Sequence, residues 1–161
     1  MNRQVTRRTF LAASAVSATL GASRAAARLN LEREAPQNYD VIAIDAFSSD
    51  SIPVHLITRE AMAVYLKHLK PDGVIAFHVT NRFLRLAPVV KAIADEYPLT
   101  TSLVIDEAEE SDLARTDWML VARDSRVLAK KKIASASSEI EKIPGLAVWT
   151  DDYNNLFRIL K

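Results

Sequence analysis

Residues 41–44 (VIAI) are apolar without interruption and stop at Asp45. Residues 74–79 repeat the pattern, with only His78 breaking the apolar run. Strands that are apolar on both faces need cover on both faces, and a parallel sheet flanked by helices supplies it. The segment between them reads as that cover. Thr58 is placed to cap a helix, with Glu60 near its positive end. Ala61, Met62, Tyr65, Leu66 and Leu69 then fall on one stripe at helical spacing. Lys70-Pro71-Asp72-Gly73 is a stop-and-turn signal. The whole is a β-α-β unit, whose crossover is expected to be right-handed.

The same logic extends downstream. Pro88 suits a first helical turn, and Val89, Val90, Ile93, Ala94 and Tyr97 form the next stripe, ended by Pro98. Residues 101–105 and 118–122 read as a third and a fourth strand, and 130–142 as a surface helix. Thr150 is expected to cap a last helix, in which Tyr153/Phe157 and Leu156/Leu160 are i,i+4 pairs. About four strands alternate with four helices. The expected class is α/β, a Rossmann-like three-layer sandwich of which the chain carries only the second half. The strand at 41–45 is then an edge unless another segment pairs with it.

In open α/β sheets, ligands bind beyond the C-terminal ends of the strands. Asp45 stands at such an end. Ser48, Ser49 and Asp50 follow it in a polar stretch that closes at Pro53. These four residues are candidates for a ligand site.

Composition narrows the function. Lys and Arg number 21 against 20 Asp and Glu, a formal net charge of +1. No basic excess favours a phosphate backbone, so nucleic acid is not an expected partner. The absence of cysteine excludes disulfides, thiolate zinc sites and a Cys nucleophile. Three glycines, Gly21, Gly73 and Gly145, lie far apart, so neither a G-x-G-x-x-G turn nor a P-loop exists here. His55 and His78 have no third ligand nearby in sequence, so no metal is expected. His78 reads as a core histidine, and the acidic run at 106–112 as a solvated loop.

The first 27 residues differ in character. Arg3, Arg7 and Arg8 precede a small, apolar stretch at 10–23, and the first acidic residue is Glu32. This is a signal-like profile. Residues 6–11 (TRRTFL) look like a twin-arginine export motif, with cleavage plausible after Ala27. The alternative is a disordered or helical leader. The apolar run, about 14 residues, is too short for a transmembrane span. Two regions are therefore expected, a leader at 1–27 and an α/β domain at 28–161, in a chain that is either cytoplasmic or exported.

Three long motifs then carry a resemblance: YDVIAIDAFSSDSIPVHLIT at 39–58, LKPDGVIAFHVTNRFLRLAPVV at 69–90, and WTDDYNNL at 149–156. Together they resemble the C-terminal half of spermidine synthase-like proteins, over about residues 28–161. The resemblance implies the fold of S-adenosylmethionine-dependent methyltransferases. It implies transfer of an aminopropyl group from decarboxylated S-adenosylmethionine, a co-substrate rather than a tightly bound cofactor, to putrescine or a related small-molecule amine. Asp45 inherits the role of catalytic base. Asp50, Asp151, Ser48 and Ser49 are candidate contacts to a cationic substrate, and Tyr39 or Trp118 is placed to face a cation.

The chemistry needs these groups. A protonated amine cannot attack carbon, so a carboxylate must accept its proton. The chain also departs from the family pattern. Ala26 stands where the family carries an aspartate that contacts adenine, and the glycine-rich half is absent. A homo-oligomer or a complementing N-terminal half is therefore an expected partner. The alternatives are a non-catalytic remnant or binding module of the same fold, and a methyltransferase-like protein.

Overall fold

A computed structural model describes residues 9–13, 24–45, 53–106 and 115–161. The architecture is of the expected α/β class, a mixed sheet with flanking helices. In chain order the elements are β1 (Thr9–Ala13), α1 (Arg24–Arg33), β2 (Tyr39–Asp45), α2 (Arg59–His68), β3 (Leu69–His78), α3 (Ala87–Ala94), β4 (Thr100–Asp106), β5 (Thr116–Ala122), α4 (Ser125–Leu128), α5 (Lys131–Ser135) and β6 (Ser137–Ser138). Short 3-10 turns lie at Val54–Leu56 and Leu156–Ile159. No helix of the described residues is long and apolar enough to cross a membrane.

The sheet order is β1-β2-β3-β5-β4-β6. Strands β1, β2 and β3 are parallel, and β5 runs antiparallel to both β3 and β4. Thus the third and fourth expected strands exist, but as an antiparallel pair with the later strand inserted next to β3. The edge position beside β2 is occupied by β1, with Thr9 to Ala13 pairing in register with Val41 to Asp45. That strand comes from within the first 27 residues.

The β-α-β unit follows its sequence signals closely. Thr58 caps α2 by accepting a hydrogen bond from the Ala61 N–H at 3.1 Å. The turn at 70–73 is absorbed as an irregularity of β3. Tyr39 pairs with Leu69, yet Val41 pairs with Val74, so the segment bulges out of the ladder. Gly73 permits the close return. A Cβ there would lie 2.8 Å from Leu69 Cδ1 and 3.0 Å from the Tyr39 carbonyl oxygen.

Two expectations on helices fail. The surface helix of 130–142 shrinks to α5, after which Ser137 and Ser138 turn to pair with β4. Serine competes poorly for helical conformation, and the Ser102 and Ser137 hydroxyls meet at 3.1 Å. Thr150 caps no helix. Its backbone exchanges hydrogen bonds with Tyr153, and Asn155 instead caps the short turn at Leu156–Ile159. The chain then runs extended to bridge Leu84 through Leu160. Phe157, expected in a helical pair, is 86% exposed.

The core joins the sheet to α2, α3 and the C-terminal segment. Ile42, Ile44, Met62, Tyr65, Ile75, Phe77, Val90, Ile93, Met119 and Trp149 are all buried in one cluster. Tyr65 packs edge-on against Phe77 and donates its hydroxyl to the Leu56 carbonyl at 3.1 Å. Burial pushes this phenol's pKa well above its ordinary value.

Candidate functional site

The parallel strands β2 and β3 end together, at Asp45 and His78. Their register pairs Ile44 with Phe77, so Asp45 and His78 stand one step further along adjacent strands. Ile44 and Phe77 point into the core; by strand alternation, Asp45 and His78 share the opposite face. On the other side of His78, the β5 register places Trp118 directly across. Three chemically distinct side chains thus converge because three strands are in register.

The geometry is tight. His78 Nδ1 lies 2.7 Å from Asp45 Oδ1. The His78 ring stacks on the Trp118 ring, with centroids 4.8 Å apart and planes inclined by 22°. His78 Nε2 is buried and has no hydrogen-bond partner among the described residues. The Asp45 side chain is 42% exposed, against 17% for His78. The carboxylate therefore faces the sheet edge, and the imidazole stands behind it.

A second cluster forms at the N-terminal end of α2. The Arg28 guanidinium, from α1, donates Nη1 and Nη2 to the two oxygens of Asp151, each at 2.7 Å. Its Nε donates to Glu32 at 2.8 Å, and Nη1 also donates to the His55 carbonyl at 2.8 Å. The Thr58 hydroxyl donates to Asp151 at 2.8 Å, and the Asp151 N–H donates to Glu60 at 3.0 Å. Hydrogen bonding from Arg28 holds the Asp151 carboxyl below the usual carboxylate range, and Arg28 is raised in return. His55 is lowered, first by burial and then by the Arg28 charge.

These placements separate the sequence candidates. Asp45 stands at the strand-end edge. Ser48, Ser49 and Asp50 lie outside the described residues, as do Arg7 and Arg8 of the export-like motif and most of the acidic run. Tyr39 opens β2, the far end of the strand from Asp45, a separation of roughly 20 Å at the usual rise per residue. Its ring lies 6.4 Å from that of His68. Asp151 is engaged with Arg28 and Thr58.

Two residues escaped the sequence reading. His78 was taken for a core histidine, although its position offered a signal: it is the last residue of a parallel strand adjacent to the one that ends in Asp45. Arg28 gave none, because its partner Asp151 is 123 positions away.

Among the described residues no group of three or more His, Asp or Glu is placed to hold a metal ion. A groove of about 400 Å³ runs between α3 and residues 140–146, lined by Pro88, Lys91 and Asp95 among others. It includes neither Asp45 nor His78.

No protein-family model matches the chain, and no curated protein matches it. Solved structures do. A spermidine synthase from Thermotoga maritima is 20% identical, with a TM-score of 0.46, over 71% of this chain and 40% of that one. A spermidine synthase in complex with the transition-state analogue AdoDATO is 16% identical, with a TM-score of 0.42, over 71% and 39%. MNMC2 from Aquifex aeolicus is 13% identical, with a TM-score of 0.43, over 67% and 33%. The chain spans no more than about two fifths of the length of these structures.

Proposed function

We propose that residues 28–161 form the acceptor side of an aminopropyltransferase-like site in which Asp45 accepts the proton of the attacking amine. The observation that carries the reading is the anchoring of Asp45, a half-exposed carboxylate, by His78 at the C-terminal ends of β2 and β3. The long motifs at 39–58, 69–90 and 149–156 support it.

The reaction follows from these groups. The amine arrives as an ammonium ion and loses one proton to Asp45. Its nitrogen lone pair then forms a bond to the carbon beside the sulfonium of decarboxylated S-adenosylmethionine. The carbon–sulfur bond breaks, its electron pair stays on sulfur, and neutral methylthioadenosine leaves. Stabilisation comes from a positioned base and from the loss of charge at sulfur.

The nucleoside needs more than this chain carries. There is no glycine-rich turn, and Ala26 replaces the adenine-contacting aspartate. The nucleoside side of the site would have to be supplied by residues beyond these. The same two departures favour a second reading, a non-catalytic binding module of the same fold.

Calorimetry separates the two. Purified protein is titrated with decarboxylated S-adenosylmethionine or methylthioadenosine, with and without putrescine, and the mixture is assayed for spermidine. Heat together with product supports transfer, and D45N should then abolish turnover while sparing nucleoside affinity. Neither heat nor product at millimolar ligand overturns the transferase reading for the chain alone. Equal loss of turnover and affinity in D45N moves Asp45 from catalysis to binding.

A further inference from the structure

We infer that His78 is a positioning residue for Asp45: it donates a fixed hydrogen bond that sets the direction of the carboxylate, and Trp118 holds its ring in place. For what Asp45 then does, this rests on the aminopropyl-transfer reading.

The tautomer follows from the contacts. Asp45 Oδ1 is an acceptor 2.7 Å from His78 Nδ1. A proton on Nε2 alone would leave two acceptors facing each other at that distance, and would also bury an N–H with no partner among the described residues. A proton on Nδ1 satisfies the carboxylate and leaves only a lone pair at Nε2. His78 therefore acts on Asp45 as a donor, in its Nδ1–H form.

The ring has little freedom to do otherwise. Trp118 stacks on it at 4.8 Å, and both residues are held by the β3–β5 ladder, in which they are direct partners. Three strands thus convert backbone register into the aim of one carboxylate. A loose aspartate at a strand end samples several rotamers. The bond through Oδ1 to a clamped imidazole removes that freedom and fixes the direction of the carboxylate, and a fixed direction is what proton acceptance from a bound amine requires.

The test uses two substitutions with opposite predictions. H78N keeps a donor nitrogen close to the position of Nδ1. H78F keeps a ring against Trp118 and removes the donor. Nitrogen NMR of histidine-labelled wild type is expected to show His78 as the Nδ1–H tautomer, with its resonances moved in D45N. In the transfer assay, H78F is expected to lose about 10- to 100-fold in kcat, by analogy with the loss of hydrogen-bond partners that orient metal ligands. H78N is expected to keep most of the activity, and neither should change nucleoside affinity.

An Nε2–H tautomer in the wild type overturns the inference, and so does equal activity of H78F and H78N. Thermal melts of both variants identify any that fails to fold, and the wild-type tautomer decides the matter in that case. If wild type neither binds nor turns over, the transferase reading falls. The tautomer and its response to D45N still decide whether His78 holds Asp45.

Discussion

Arg28 grips Asp151 through two parallel hydrogen bonds, each 2.7 Å long, and so ties the first helix to the C-terminal segment across 123 positions of sequence. The Arg28 side chain is only 10% exposed, whereas the Asp151 side chain is 41% exposed. The pair is bidentate and shares Thr58, the cap of α2, so three elements meet in it.

Removing one partner leaves the other poorly matched. D151A strands a buried guanidinium that retains Glu32 and the His55 carbonyl. A loss of about 1–3 kcal/mol is expected, at the lower end of what charged hydrogen bonds are worth because Asp151 is partly solvated. Urea unfolding of D151A, R28A and the double variant should show coupling, with the double loss smaller than the sum of the single losses.

The same pair sets an acid limit. The Asp151 pKa is lowered in the folded state, first by the Arg28 hydrogen bond. The folded chain therefore binds fewer protons than the unfolded chain around the ordinary carboxylate pKa. Its contribution is fully present above that value and is lost as pH falls through the lower folded one. The stability gap between wild type and D151N should be flat from about pH 5 to 8 and close below about pH 4. A gap unchanged at low pH would separate Asp151 from the acid response.

Residues 1–27 are expected to matter for the fold. Cleavage after Ala27 would cut α1 immediately before Arg28 and remove β1 from the edge of β2. An exposed parallel edge invites pairing with another chain. Residues 28–161 expressed alone should melt more than about 5 °C below the full chain and sediment as larger species. An unchanged melt and a monomeric species would show that β1 contributes nothing in solution.

Burial distinguishes two phenylalanines. Phe77 is fully buried against Tyr65, so F77A should cost about 3–5 kcal/mol by denaturant unfolding. Phe157 is 86% exposed, and F157A should change stability by no more than about 0.5 kcal/mol.

Gly73 makes a third packing test. An added methyl would press on the Leu69 side chain at 2.8 Å and on a backbone oxygen at 3.0 Å. The side chain can shift but the carbonyl, held in the sheet, cannot easily follow. G73A should lose about 1–3 kcal/mol, as overpacking does.

Much of this architecture is written in local pattern. The apolar runs at 41–44 and 74–78 and the Thr58 cap each specify backbone conformation over a few residues, and each is realised where the pattern places it, whereas the 70–73 turn survives only as an irregularity of β3. Asp45 was legible for the same reason, since a carboxylate closing a buried strand stands at a sheet edge in any α/β arrangement. The C-terminal helix was misread because Thr150 and the i,i+4 pairs are equally compatible with an irregular segment that holds one short 3-10 turn. Contacts with Leu84 and the buried Trp149 decided between them. Likewise, the apolar run at 118–122 reads as a strand but contains nothing to say that it enters between β3 and β4. What the chain alone determined are β2, β3, the capped helix between them and the one strand-end acid. What only the tertiary structure decided are the partners: His78 and Trp118 for Asp45, Arg28 for Asp151, and β1 for the edge of β2. Pairings of that kind depend on sheet register and on contacts between distant residues, and no local period carries either.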